Sequence, residues 1–148
     1  MNLNGKTTLD EIVVMTESAR SNGKFPSLAR LKYLNGGDVN ESTALVLLML
    51  DSITSFYGAE WSQQQMASAA ETITNTYYIL TPIDLKAIVQ RSLSGQFGEV
   101  YGKLSPNVLI QWIKHYCEMR GNAYQEYNDR KHSDFTIMKN TFTPNWGC

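Results

Sequence analysis

The sequence predicts an all-α fold: a single-domain bundle of about six helices followed by a non-helical C-terminal tail. Apolar residues recur at intervals of three and four along most of the chain, which is the spacing of helices that bury one face. Residues that typically start and end helices divide this pattern into six segments. No run of alternating apolar and polar residues is long enough to predict a sheet, although the propensities of segment 72–80 favour a strand.

Each predicted helix has its own start and end signals. The starts are placed at capping residues or at a proline in the first turn: Thr8, Pro26, Asn40, Ser62, Thr81 and Ser105. The ends are placed at glycine-containing turns or where the periodicity stops: Gly23, Asn35, Gly58, Tyr77, Gly95 and Arg130.

The third helix is predicted to be the central one, because Ala44–Leu50 is apolar nearly all round. We expect one face of this helix to be formed by Leu45, Leu48, Met49, Ile53 and Phe56. The connection between the fifth and sixth helices is expected to fill the core with Phe97, Val100, Tyr101 and Leu104.

The composition is that of an ordinary globular protein. The 148 residues are 43% hydrophobic and 18% charged, and a chain of this length buries about 70% of the surface that its unfolded state exposes. One hydrophobic core therefore suffices, without disulfides or a structural metal. The cysteines, Cys117 and Cys148, are too few for a disulfide framework and indicate a reducing compartment.

The sequence favours a cytoplasmic protein, within the host cell if a phage encodes it. Residues 1–11 lack the apolar centre of a signal peptide. The apolar run Ala44–Leu50 is much shorter than the roughly 20 residues that span a bilayer. We therefore expect no membrane span.

Basic residues near aromatic ones suggest two candidate contacts with nucleic acid, although the net charge of −1 provides no general basic field. The candidates on the sixth helix are Lys114, Arg120, Arg130 and Lys131, near Tyr124 and Tyr127. A second group comprises Arg20, Lys24, Arg30 and Lys32, near Phe25 and Tyr33. Such groups suit phosphate contact and base stacking, but acidic residues are interspersed in both, so ordinary solvated helix faces are the favoured interpretation and nucleic-acid contact is the alternative.

No catalytic, metal-binding or cofactor-binding residues are predicted. His115 and Cys117 are two residues apart on a helix, about 200° around its axis, so they point to different sides and cannot form one site. Gly95, Gly98 and Gly102 lack the strand and the GK[ST] ending of a phosphate-binding loop. The protein is therefore expected not to be an enzyme.

The tail is the strongest candidate for binding a partner protein. We divide the chain into a helical domain, residues 1–131, and an extended aromatic tail, residues 132–148. The tail carries Phe135, Phe142 and Trp146, and aromatic side chains are efficient anchors at protein interfaces. Packing of the tail on its own core is nevertheless the favoured interpretation, and a partner-binding arm is the alternative.

A stretch of about a third of the chain, between Tyr77 and Arg120, carries a recognisable set of motifs. They are Thr81-Pro82-Ile83-Asp84-Leu85-Lys86, then Gly95-Gln96-Phe97-Gly98-Glu99-Val100-Tyr101-Gly102-Lys103-Leu104-Ser105, then Trp112-x3-Tyr116-x3-Arg120. This stretch resembles the helical, helicase-loader-type replication accessory proteins of phages and mobile elements. In that pattern a helix opening with D-L-K leads to G-x-F/Y-G-x-V/L-Y, and a last helix carries W-x3-Y-x3-R.

The resemblance implies a helical adaptor that binds a replicative helicase and has no catalytic activity of its own. The sequence contains no ATP-binding motif, so the resemblance does not extend to loaders that hydrolyse ATP. The alternative is a structural or assembly protein of a virion, whose C-terminal tail binds neighbouring subunits. The sequence leaves open the oligomeric state and which of these partners is bound.

Overall fold

The computed structural model of the protein describes residues 7–34, 36 and 40–142, without the side chains of residues 40 and 137–142. These residues form six helices, and no strand occurs among them. The helices are α1 (Leu9–Ser21), α2 (Leu28–Leu34), α3 (Asn40–Tyr57), α4 (Gln63–Thr76), α5 (Pro82–Leu93) and α6 (Pro106–Phe142). The predicted all-α, six-helix fold is confirmed.

Capping side chains set four of the helix starts, as predicted, and at α6 the Ser105 hydroxyl accepts from the Val108 amide at 3.3 Å. The Thr8 hydroxyl accepts a hydrogen bond from the Glu11 amide at 3.2 Å. Ser62 at the start of α4 and Thr81 at the start of α5 each belong to a complete capping box, in which the third helical residue bonds back to the cap. These bonds satisfy amide groups that the first helical turn leaves without a partner. The strand-like segment 72–80 stays helical to Thr76 and then turns.

α5 connects the two halves of the core. α3 packs against α2, α4 and α5, whereas α6 packs against α1, α4 and α5. α5 is short but contributes six buried residues, namely Ile83, Asp84, Leu85, Ala87, Ile88 and Ser92. Because it contacts α1, α3 and α6, it holds these helices in one core.

The buried face of α3 agrees with the predicted one only in part: Met49 and Ile53 are buried as predicted, but Leu48 and Phe56 are not. Val46, Leu50 and Ile53 are fully buried, whereas Leu48 is 65% exposed and Phe56 is 57% exposed. A helix that is apolar nearly all round does not itself determine which side faces the core. The positions of α2, α4 and α5 along one side of α3 decide it.

The sixth helix is longer than predicted, and this corrects the boundary of the tail. It ends at Phe142 instead of near Arg130, so residues 132–142 are helical and the predicted extended segment 132–148 starts too early. The reason is local, because residues 131–142 include neither glycine nor proline, the residues that most readily end a helix. Trp146 lies outside the described residues.

The connection between α5 and α6 packs on the core through fewer residues than predicted. Leu104 is 2% exposed, and its carbonyl accepts a hydrogen bond from the indole nitrogen of Trp61 at 2.9 Å. Phe97 and Val100 are partly buried against the core. Tyr101 is 88% exposed, so the prediction that it fills the core is wrong.

No helix in the described part of the chain is both long enough and apolar enough to cross a membrane.

Candidate binding surfaces

A groove of about 750 Å³ lies between α1, the loop that follows it, α2 and α6. This volume is typical of ligand pockets, which measure roughly 300–1,000 Å³. Its apolar side is formed by Phe25, Pro26, Leu34 and Ile79. Its cationic lining comes from Arg20, Lys24, Arg30 and Arg120, and Glu17 supplies one carboxylate.

The loop after α1 has a defined backbone conformation. Gly23 has a φ of 67°, which a glycine adopts without steric cost. The Gly23 amide donates to the Arg20 carbonyl at 3.1 Å, and the Lys24 amide donates to the Ala19 carbonyl at 2.8 Å. These two bonds form a Schellman motif, which ends α1 and fixes the direction in which Lys24 leaves it.

Phe25 has an unusual backbone conformation. Its φ is 51°, and no other non-glycine residue in the described part of the chain has a positive φ. The left-handed region costs a residue with a Cβ about 1–2 kcal/mol. The Phe25 side chain lines the groove and is 41% exposed, so this cost is not offset by complete burial of the ring. Strained backbone of this kind is concentrated at binding sites.

The start of α2 is held by backbone hydrogen bonds to the connection between α4 and α5. The Leu28 amide donates to the Leu80 carbonyl at 2.9 Å, and the Ala29 amide donates to the Tyr78 carbonyl at 3.0 Å. The Ser42 hydroxyl donates to the Leu28 carbonyl at 2.9 Å. The α2 wall of the groove is therefore fixed to the core.

The opposite wall rests on the buried carboxylate of Asp84. One oxygen, Oδ1, accepts from the Tyr116 hydroxyl at 2.7 Å and from Nε of Arg120 at 2.9 Å. The other, Oδ2, accepts from the amide and the hydroxyl of Thr81, both at 2.9 Å. Asp84 is 0% exposed, and four donors compensate for its transfer from water.

Arg120 lies between this network and the groove. Burial alone lowers its pKa, but the charge and hydrogen bond of Asp84 outweigh that effect, so the pKa is raised above its usual value. Its guanidinium also lies 4.5 Å from the centre of the Tyr124 ring. Burial is the main reason that the pKa of Tyr116 is raised, and the charge of Asp84 adds to it. Arg120 stays charged and is neutralised by Asp84.

The basic residues predicted on α6 do not form one surface. Arg120 is buried and paired, whereas Lys114 and Lys131 are exposed. Lys114 and Arg130 are 16 positions apart and therefore lie about 160° from each other around the helix axis. Arg130 approaches Asp10 of α1 at 3.8 Å, with both side chains mostly exposed.

The other predicted basic group is partly brought together by the fold. Arg20, Lys24 and Arg30 all line the groove, although they come from two helices and the loop between them. Lys32 and Tyr33 do not line it. Lys32 instead lines a smaller cavity of about 200 Å³ on the other side of α2.

His115 and Cys117 point to different sides of α6, as predicted. His115 is exposed and lies near the ring of Phe97, whereas Cys117 is partly buried against the core. Burial raises the pKa of the Cys117 thiol to about 11. Within the described ranges, no three histidine, cysteine or acidic residues are grouped so that they could hold a metal ion.

The C-terminal part of α6 forms a second surface, which we call the α6 arm (residues 128–142). Residues 128–136 are all exposed, and Phe135 is 64% exposed. The Phe142 backbone ends the helix, but its side chain is outside the described part. Beyond Arg130, the helix continues for roughly 18 Å at 1.5 Å per residue.

The role of Asp84 was not predicted from the sequence. That residue was recognisable as an acid in the first turn of α5, and Tyr116 and Arg120 are four apart and thus share a face of α6. The contact joins residues 32 and 36 positions apart, which no local pattern predicts. Four residues of the motifs between Tyr77 and Arg120, namely Thr81, Asp84, Tyr116 and Arg120, are therefore parts of one buried network.

No family model matches the chain, and neither a curated protein nor a solved structure shows significant similarity to it.

Proposed function

We propose that this protein is a non-catalytic adaptor that binds another protein through the α6 arm. The proposal follows from residues 128–136, which continue a regular helix and are all exposed. A helical segment as short as residues 128–136 is marginal in water unless one of its faces packs against another surface. A partner that covers the arm would supply that packing, with Phe135 as its apolar anchor.

The first candidate for the partner is a replicative helicase of a phage or mobile element, in the cytoplasm of the host cell. The resemblance of residues 77–120 to helicase-loader-type accessory proteins supports this choice. The buried carboxylate of Asp84 has hydrogen bonds to both oxygens and no exposure. It therefore suits a role in holding α5 and α6 together better than a role in acid–base chemistry.

The test is retention of the purified replicative helicase by the full-length tagged protein, with and without DNA. We compare the wild type with Phe135→Asp and with the matched control Leu48→Asp. Both positions lie on helices and are similarly exposed, at 64% and 65%, so folding should be little affected in either variant. We expect the helicase to be retained by the wild type and by L48D but not by F135D.

Absence of helicase from the wild-type sample, under both conditions, would reject the helicase as the partner. Equal retention by F135D and L48D would reject the arm as the binding surface.

A virion structural or assembly protein is the second candidate, since a helical arm that leaves the body can also reach a neighbouring subunit. This alternative predicts a defined oligomer by light scattering, or the presence of the protein in purified particles. In that case F135D, but not L48D, should abolish the assembly.

A further inference from the structure

We propose that the groove between α1, α2 and α6 binds a short acidic peptide segment of a partner protein. In this arrangement, apolar side chains of the segment pack on Phe25, Leu34 and Ile79, while its carboxylates pair with Lys24 and Arg30. This site is separate from the α6 arm and does not rest on the function proposed for the arm.

The cations of the groove differ in their availability to a ligand. Arg120 is already neutralised by Asp84 at 2.9 Å. The Arg20 side chain is 81% exposed and approaches Glu17 at 3.8 Å. Within the described residues, neither Lys24 nor Arg30 has an acidic partner within 4 Å, and Arg30 lies over the ring of Tyr33. Lys24 and Arg30 are therefore the cations most available to a carboxylate.

Large apolar side chains are exposed at the same place. Leu34 is 58% exposed, Ile79 is 47% exposed and Phe25 is 41% exposed, and all three line the groove. Apolar surface that is grouped and bordered by charged residues is characteristic of a binding site, whereas scattered apolar residues are not. The ligand should therefore carry apolar groups as well as negative charge.

The groove is also formed in advance of binding. The Schellman motif orients Lys24, and the amides of Leu28 and Ala29 fix α2 to the core at 2.9 and 3.0 Å. A site that is already ordered loses less conformational entropy when it binds its ligand. The unfavourable φ of 51° at Phe25 places an aromatic ring in this surface, at a cost that an interaction with a ligand would offset.

The charge distribution favours a peptide over nucleic acid. A nucleic-acid strand needs a continuous track of cations, but Lys114, Arg130 and Lys131 of α6 do not line the groove. The net charge of the chain is −1. Single cations at the edge of an apolar surface match a segment in which acidic and apolar residues alternate. A volume of about 750 Å³ suits a few residues of such a segment.

The proposal can be tested by selecting peptides from a displayed library of random 12-residue sequences on the full-length protein. We expect the enriched sequences to combine at least two acidic residues with an aromatic or large aliphatic residue. Their dissociation constants are then measured by fluorescence anisotropy for the wild type and for the double variant Lys24→Glu/Arg30→Glu. The reversal of two charges should weaken binding about tenfold or more.

The control is the double variant Lys32→Glu/Lys86→Glu, which makes the same change in net charge. Lys32 and Lys86 are exposed and do not line the groove, so this variant should bind the selected peptides as the wild type does. All the substituted positions are exposed, and circular dichroism with urea unfolding checks that each variant folds. F135D should also bind the peptides normally, which separates this site from the α6 arm.

Three results would overturn the proposal. The selection could yield no enriched peptides, or peptides without acidic residues. The enriched peptides could bind K24E/R30E as tightly as the wild type. A fluorescent single-stranded DNA could displace them and lose affinity in K24E/R30E but not in K32E/K86E, which would assign the groove to nucleic acid.

Discussion

The Nε atom of Arg120 donates to the Asp84 carboxylate at 2.9 Å, which joins α6 to α5 across 36 positions of the chain. Asp84 is 0% exposed and Arg120 is 8% exposed. Tyr116 and Thr81 complete the contacts of the carboxylate. Because the Arg120 side chain also lines the groove, the interaction that holds α5 and α6 together also positions one wall of the groove.

Substitution of Asp84 by asparagine should destabilise the protein strongly. The variant keeps the shape of the side chain but leaves Arg120 buried without its counter-charge. Removal of one partner of a buried pair costs about 3–5 kcal/mol. Equilibrium urea unfolding of D84N and the wild type measures the difference in free energy of unfolding.

A double-mutant cycle with Arg120→Met separates the charge effect from the loss of packing. Replacement of both partners removes the unpaired charge, so D84N/R120M should be more stable than the sum of the two single losses predicts. Additive losses would show that Asp84 and Arg120 are not coupled, contrary to the geometry.

The helix caps of α5 and α4 should differ in their contributions to stability. Ser62→Ala removes an exposed cap and should cost about 1 kcal/mol. Thr81→Ala should cost more, because it also removes the hydroxyl that donates to the buried Oδ2 of Asp84 at 2.9 Å. Urea unfolding of both variants provides the comparison, and equal losses would contradict a role for Thr81 beyond capping.

The helix starts were predictable because capping depends on neighbours in the sequence. Thr8, Ser62 and Thr81 each interact with a residue three positions later. The buried face of α3 was not predictable in the same way. Leu48 and Val46 are equally suitable for a core, and only the positions of other helices leave Leu48 exposed and Val46 buried.

The groove could be predicted only as separate groups of residues. The sequence identified Arg20, Lys24 and Arg30 as basic residues near aromatic ones. It gave no sign that Ile79, which is 49 positions after Arg30, would lie beside them. The positive φ of Phe25 was also hidden, because it arises where the Schellman motif and the anchored α2 must be joined.

The stability of the protein should fall as pH rises above about 9. Burial raises the pKa of Cys117 to about 11, and it is also the main cause of the raised pKa of Tyr116. In the unfolded chain the pKa of a cysteine thiol is about 8.5 and that of a tyrosine hydroxyl is about 10. The neutral side chains of Cys117 and Tyr116 therefore stabilise the fold fully at pH values below the pKa that each has in the unfolded chain. This stabilisation is lost as the pH rises through the pKa that each has in the folded protein. The pKa values of Tyr77 and Tyr124 are also raised, chiefly through burial.

The measurement is the free energy of unfolding in urea at pH 7.5, 8.5 and 9.5, under reducing conditions. Cys117→Ala removes the group with the lowest unfolded pKa of the four, so its stability should change less between pH 8.5 and 9.5 than that of the wild type. If the wild type instead gains stability between pH 8.5 and 9.5, the pH dependence of its free energy of unfolding has the opposite sign from the one expected.

The backbone of Phe25 allows the strain at the groove to be measured. Phe25→Gly and Phe25→Ala both remove the ring, so they lose the same ring contacts and differ by the β-carbon alone. Glycine adopts the φ of 51° without a steric penalty, whereas alanine does not. We expect F25G to be more stable than F25A by about 1 kcal/mol, measured by urea unfolding.

Val14 provides the matched control, because it is 52% exposed and lies inside α1. In a helix interior alanine is favoured over glycine by about 1 kcal/mol, so V14A should be more stable than V14G. The order of the two substitutions should thus be opposite at positions 14 and 25. If alanine is the better residue at both, Phe25 does not hold a left-handed conformation in solution, and the groove wall that it forms must be arranged differently.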